Sequence, residues 1–324
     1  MARDHGGNLA QACARFGGTP GDWLDLSTGI NPLAYPVSGL VQEDWARLPD
    51  SDATDRLVAL ARALWGVPEG AAVVVAPGTS ALIRLLPRLD PAGEVAIPAP
   101  TYNEHAAAFT AEGWRVAARP GAATRAAVIV NPNNPDGRRW ETHELQTLAE
   151  ALPRLVVDES FMDATPERSL IPHAGAEGLV ILRSFGKFYG LAGLRLGFAV
   201  TGPGTAARLA GLMWPWAVSG PALALGAAAL ADRGWHAQTR VRLARDIRRL
   251  VALGRSAGWR LVGEAGLFAT FETPDAAAAH QRLARARIWS RIFPYSAPWL
   301  RLGLPGTAEG WTRLEAALEA ECSR

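Results

Sequence analysis

Lysine is almost absent from this chain. Its 324 residues carry 33 lysines and arginines, and Lys187 is the single lysine among them. Arginine keeps its proton in a protein, so only one side-chain amine is available for nucleophilic chemistry. Cysteine is nearly as scarce. Cys13 and Cys322 lie near opposite ends, which gives neither a disulfide framework nor a metal-ligand spacing. The six histidines are scattered without a His-x-x-x-His pair, so no metal site is expected. A net charge of +2 gives no electrostatic reason to expect a nucleic-acid partner. Residues Met1 to His5 lack the apolar core of an export signal, and with so few cysteines a cytoplasmic location is expected. The uncharged run from Leu209 to Ala231 is long enough to span a bilayer. It is interrupted by Trp214-Pro215-Trp216 and Gly220-Pro221, so it is expected to be buried in protein, with no membrane insertion. Neither a Gly-x-Gly-x-x-Gly fingerprint nor a Walker loop is present.

Hydrophobic residues make up 49% of the chain, enough for a sizeable core. Short continuous apolar runs alternate with helical stretches: 72–75, 94–97, 127–130, 155–157, 179–182 and 196–200 read as strands. Continuous apolar strands separated by helices predict an α/β fold with a mostly parallel central sheet covered on both faces. After about residue 215 the pattern changes to an Ala- and Arg-rich helical stretch from 222 to 257, followed by short strands and a last helix near 308–320. A smaller α+β C-terminal domain is expected there. The arginines between 240 and 249 read as a solvated helix face.

Parallel sheets bind ligands beyond the carboxyl ends of their strands, and the polar motifs fall at such ends. Asp158 closes the run Leu155-Val156-Val157. Asn131-Pro132-Asn133-Asn134 follows Val130. Gly78-Thr79-Ser80 opens a helix, where backbone amides favour an anion. Tyr102 sits after another strand and could stack on a flat ring. Lys187 lies in Ser184-Phe185-Gly186-Lys187-Phe188-Tyr189-Gly190, with Arg195 eight residues on. A lone lysine, an upstream carboxylate and an anion cradle together suggest a Schiff-base lysine and the cofactor pyridoxal 5'-phosphate.

The ordered set Gly78-Thr79-Ser80, Tyr102, Asn134, Asp158, Ser184, Lys187, Arg195 and Arg301 resembles the class I/II aminotransferase family, fold type I of the pyridoxal phosphate enzymes. The resemblance implies Lys187 as the cofactor-bearing lysine, Asp158 on the ring nitrogen, Asn134 on the ring oxygen and Tyr102 against the ring. It implies Gly78, Thr79, Ser80, Ser184 and Arg195 on the cofactor phosphate, Arg301 on the substrate carboxylate, and a homodimer. The expected organisation is an N-terminal arm (1–40), a large cofactor-binding domain (41–215) and a small C-terminal domain (216–324).

The segments His5-Gly6-Gly7-Asn8 and Leu24 to Leu33, with Asn31-Pro32, narrow the resemblance to the threonine-phosphate decarboxylase family, which is similar to histidinol-phosphate aminotransferase. The implied reaction converts L-threonine O-3-phosphate to (R)-1-aminopropan-2-yl phosphate and carbon dioxide in cobalamin biosynthesis. The substrate class is thus a small phosphorylated amino acid. Candidates for holding it are His5, Asn8, Asn31 and Arg291, beside Arg301. The alternatives are an aminotransferase acting on histidinol phosphate and a non-catalytic binding protein of the same fold. Two positions depart from the family pattern: Phe161 and Leu48 stand where tyrosines are common.

Overall fold

A computed structural model describes residues 6–322 of the chain, with side-chain environments through residue 319. The described chain forms two compact units. One comprises Ala34–Asn134 and Arg139–Gln238. The other comprises the N-terminal segment up to Leu33, the short piece Pro135–Arg138 and everything from Thr239 onward.

The larger unit is built on a seven-stranded sheet: β1 (Ala72–Ala76), β2 (Glu94–Ala96), β3 (Arg115–Ala117), β4 (Thr124–Val130), β5 (Arg154–Asp158), β6 (Leu179–Ser184) and β7 (Gly197–Thr201). Their order is β1-β7-β6-β5-β4-β2-β3. All pairings are parallel except those of β7, which runs antiparallel to both β1 and β6. The continuous apolar runs are explained by burial on both faces. On one face Val128, Val156, Val180 and Leu182 pack with Leu82, Ile83 and Phe109. The intervening Ile129, Val157 and Ile181 are also buried, on the other face. Complete burial of one such side chain is worth about 1.5–3 kcal/mol.

The smaller unit holds a four-stranded antiparallel sheet: β8 (Arg260–Glu264), β9 (Phe268–Glu272), β10 (Arg291–Phe293) and β11 (Ser296–Gly303), in the order β10-β11-β9-β8. Its N-terminal segment is tied down by a parallel ladder pairing Leu24–Asp25 with Ile288–Trp289. Helix Leu9–Phe16 packs there too, through Ala12 and Phe16 against Trp23, Ala284 and Trp289. Edge-to-face contacts among Phe16, Trp23 and Trp289, with centroids 5.9–6.2 Å apart, give this small cluster its geometry.

The helical stretch expected over 222–257 is two helices, Gly220–Ala231 and Arg233–Ser256. Asp232 separates them, its Oδ1 accepting from the Trp235 amide at 2.9 Å. Among the described residues no helix is long and apolar enough to cross a membrane.

Candidate active site

Alternation along β5 and β6 decides which side chains reach the cavity at the strand ends. Asp158, the last residue of β5, shares its face with Val156. Ser184 ends β6 on the face of Leu182 and Val180. A single helical turn, Phe185–Phe188, then carries Lys187. The loops after β1 and β4 add Gly78-Thr79-Ser80 and Asn134. These residues, with Tyr102 and Arg195, line one cavity of about 170 Å³ inside the larger unit. Phe161 lines it as well, its ring centroid 5.7 Å from Lys187 Nζ.

Two glycines let the anion end of this cavity close. Gly78 has φ +83°, and a Cβ there would sit 2.9 Å from an Arg195 guanidinium nitrogen. A Cβ on Gly197 would overlap the Thr79 amide nitrogen. Arg195 itself is left-handed, at φ 58° and ψ 56°, which costs a non-glycine residue about 1–2 kcal/mol. Its guanidinium donates to the Ala192 carbonyl at 3.0 Å, which folds the side chain back towards the Gly78 loop.

The opposite end is anionic. Asp158 is 2% exposed, with Oδ2 2.8 Å from His105 Nε2 and Oδ1 accepting from the Ser160 amide at 3.0 Å and from its hydroxyl. Burial alone would push this carboxyl up. The His105 and Ser160 contacts outweigh it and hold the group below the usual carboxylate value. His105 is itself fully buried, and its ring meets Tyr102 edge-on at 6.0 Å. Sequence reasoning missed both His105 and Ser160. Their only signal was proximity in sequence, to Tyr102 and to Asp158.

The donor set fits pyridoxal phosphate. A guanidinium, hydroxyls and helix-opening amides suit a phosphate dianion at one end. An ionised, hydrogen-bonded carboxylate suits a protonated ring nitrogen at the other, and the only lysine lies on the same cavity wall.

The residues expected to meet substrate lie in the smaller unit. Arg301 and Arg291 are cross-strand partners on β11 and β10, a like-charge pairing that is unfavourable without an anion. Arg301 is 5% exposed, donates to the Ser27 carbonyl at 2.7 Å and lies 4.8 Å over the Phe268 ring. Burial and the Arg291 charge push it down to about 9, so a bound carboxylate would relieve it. Asn31 is buried; its Oδ1 accepts from the Leu33 amide at 3.1 Å and from Arg242 at 2.6 Å. Asn8 is exposed and caps helix Leu9–Phe16 by accepting from the Gln11 amide. His5 lies outside the described residues.

The sheet topology and this cavity define a fold type I architecture, an α/β protein with its ligand site beyond the strand ends. The chain belongs to the aminotransferase class I and II family, whose profile matches residues 39–319. It is 41% identical to the threonine-phosphate decarboxylase of Sinorhizobium sp, over 97% of both chains. It is also 41% identical to the threonine-phosphate decarboxylase of Pseudomonas aeruginosa, again over 97% of both. Among solved structures, the histidinol-phosphate aminotransferase of Clostridium acetobutylicum superposes with a TM-score of 0.82 at 20% identity, over 93% of this chain and 100% of that one.

Proposed function

We propose that this chain is a pyridoxal phosphate-dependent carboxy-lyase that removes the carboxylate of L-threonine O-3-phosphate, giving (R)-1-aminopropan-2-yl phosphate and carbon dioxide in cobalamin biosynthesis. The observation that carries the cofactor assignment is the lone lysine sharing one cavity with a buried carboxylate held ionised by His105. The substrate reading is supported by the two decarboxylases that match this chain end to end. The likeness to the histidinol-phosphate aminotransferase, at 20% identity, speaks to the fold alone.

The bound cofactor supplies an electron sink for the pair left on Cα when the carboxylate departs. In this reading Lys187 Nζ would hold the cofactor aldehyde until the substrate amine takes its place, and the freed amine, carrying a proton, would then give it to Cα. Asp158, held by His105 and Ser160, would keep a proton on the ring nitrogen. Asn134 would donate to the ring oxygen and Tyr102 would cover the ring. Thr79, Ser80, Ser184, Arg195 and the Gly78 backbone would hold the phosphate. Arg301 orients the substrate carboxylate, but a tight grip stabilises the charged ground state and opposes its loss. Most binding energy therefore belongs on the substrate phosphate, with Asn31 and Arg291 as its holders and His5 and Asn8 as further candidates.

The working unit is a homodimer in the cytoplasm. In the larger unit Val37, Val41, Trp45, Leu48, Trp214 and Trp216 are each more than half exposed. Pro49, Asp50, Trp214 and Trp216 share the wall of a second hollow. So many large apolar side chains on one unit favour a protein contact, and a second copy is the occupant we assign.

The test is an assay of the cofactor-loaded protein with L-threonine O-3-phosphate, following carbon dioxide and the amine together. Equal release of both supports the reading. Activity on histidinol phosphate with 2-oxoglutarate and no carbon dioxide would make the chain an aminotransferase. A protein that stays colourless with added cofactor would make it a binding protein without this chemistry.

A further inference from the structure

A second ionic cluster lies behind the cavity wall, on the far face of the same two strands. Arg183 directly precedes Ser184 on β6 and is 1% exposed. Because side chains alternate, it points away from the cavity and pairs in register with Phe198. Glu159, the residue after Asp158, is fully buried, and Asp163 is 2% exposed. The guanidinium reaches three partners: Asp163 Oδ1 at 2.9 Å, Ser169 Oγ at 3.0 Å and Glu159 Oε2 at 3.3 Å. Ser169 Oγ in turn donates to Glu159 at 2.7 Å, and the Leu170 amide donates to the other Glu159 oxygen at 2.6 Å. Trp65 Nε1 donates to Asp163 at 3.2 Å while its ring lies 5.3 Å from the guanidinium.

Stability does not explain such a cluster. Burial pushes the Glu159 carboxyl up despite the Arg183 charge, desolvating such groups costs about as much as their attraction returns, and apolar side chains of similar volume often serve as well or better. What the fork does supply is direction: two of its planar donors fix Asp163 and Ser169 at defined angles, and Glu159 is held by its charge and through the Ser169 hydroxyl. The acceptors belong to the segment that continues from Asp158 through Phe161, and the donor belongs to the strand that continues into Ser184 and Lys187. The two strand ends are already adjacent, with the Glu159 amide donating to the Leu182 carbonyl at 3.0 Å.

We propose that Arg183 is a positioning residue for the cofactor seat, locking the strand end that carries Asp158 to the one that carries Ser184 and Lys187. This rests on the reading that the cavity takes pyridoxal phosphate. Arg183→Lys keeps the charge but loses the fork. Titration of the apoprotein with pyridoxal phosphate should show a dissociation constant raised about 10-fold or more. The visible circular dichroism of the bound cofactor should change with it. A folded Arg183→Lys protein with wild-type affinity and dichroism overturns the proposal. So does a variant whose only change is a lower thermal midpoint of the apoprotein, because that is the mark of a merely structural role. If Arg183→Lys does not fold, Ser169→Ala removes the hydroxyl that bridges Arg183 and Glu159. A rise of about 3–10-fold in the dissociation constant is then expected, and no change overturns the proposal. Failure of the wild-type protein to bind the cofactor at all would instead remove the reading beneath it.

Discussion

His105 Nε2 and Asp158 Oδ2 lie 2.8 Å apart, both shut away from solvent, and the histidine supports a charge that burial would otherwise suppress. Replacing His105 by Phe keeps a ring in place but removes the hydrogen bond. Asp158 in the wild-type protein titrates below its ordinary value, so its carboxylate persists as pH falls into the acid range. Without His105, the upward push of burial is opposed by Ser160 alone and the carboxyl takes up a proton at higher pH. Cofactor binding at neutral pH should weaken by about 10–100-fold, and the pH at which the visible absorbance is lost should move upward. An unshifted pH profile in the variant would show that His105 does not set the Asp158 charge.

Gly78→Ala should damage the anion end without touching the ring end. Gly78 combines φ +83° with ψ 154°, a conformation essentially confined to glycine that costs alanine about 1–3 kcal/mol, and the added methyl displaces the Arg195 guanidinium. Affinity for inorganic phosphate and for pyridoxal phosphate should fall together, by about 10-fold or more, while unphosphorylated pyridoxal binds nearly as before. Calorimetric titration with the three ligands distinguishes this from a general collapse of the cavity, in which pyridoxal would be lost equally.

Arg301→Lys tests the carboxylate grip. The burial and neighbouring charge that push Arg301 down to about 9 make a flexible amine a poor substitute for a planar fork. A loss of about 100-fold in kcat/KM is expected, about 2.7 kcal/mol, with cofactor affinity unchanged. Steady-state kinetics beside a cofactor titration measure both, and equal losses in the two would remove Arg301 from substrate binding.

The smaller unit carries its own acid sensitivity. His280 is packed against Trp289 at 4.5 Å and hydrogen-bonded to Ser290 Oγ at 2.8 Å. Burial, with a smaller contribution from Arg15, pushes it down to about 4. Above pH 6.5 both folded and unfolded chains hold a neutral imidazole and the full stability is present. Between pH 6.5 and 4 the unfolded chain takes the proton first, so stability falls by up to about 2–3 kcal/mol. Urea unfolding at pH 7.5 and 4.5 should show this decline, and His280→Gln should flatten it. A variant with the wild-type slope would place the acid sensitivity elsewhere.

The sheet was readable because β4, β5 and β6 are buried on both faces and so are written as unbroken apolar runs. β3 and β8 were not, because they lie at sheet edges and carry Arg115, Val116 and Arg260 on exposed positions. The antiparallel direction of β7 has no local signature either, since Gly197–Thr201 is as apolar as its parallel neighbours. The break at Asp232 hid in an alanine-rich composition. At the site, strand-end position and motif order led to the residues that line the cavity. His105 was invisible because its partner is 53 residues away, and such pairings exist only once the chain has folded. Arg183 was hidden by its neighbours: in a buried strand an arginine reads as an exception until its carboxylates are seen.

The placement of Lys187 on the cavity wall has a use outside catalysis. Amine-directed reagents meet one side chain in this protein, and apart from the chain terminus they have no other target. Acylation followed by mass measurement would therefore act as an occupancy counter. An empty cavity would leave a single side chain open to tagging and a filled one would shield it, so the loaded fraction of a preparation could be read without colour or turnover.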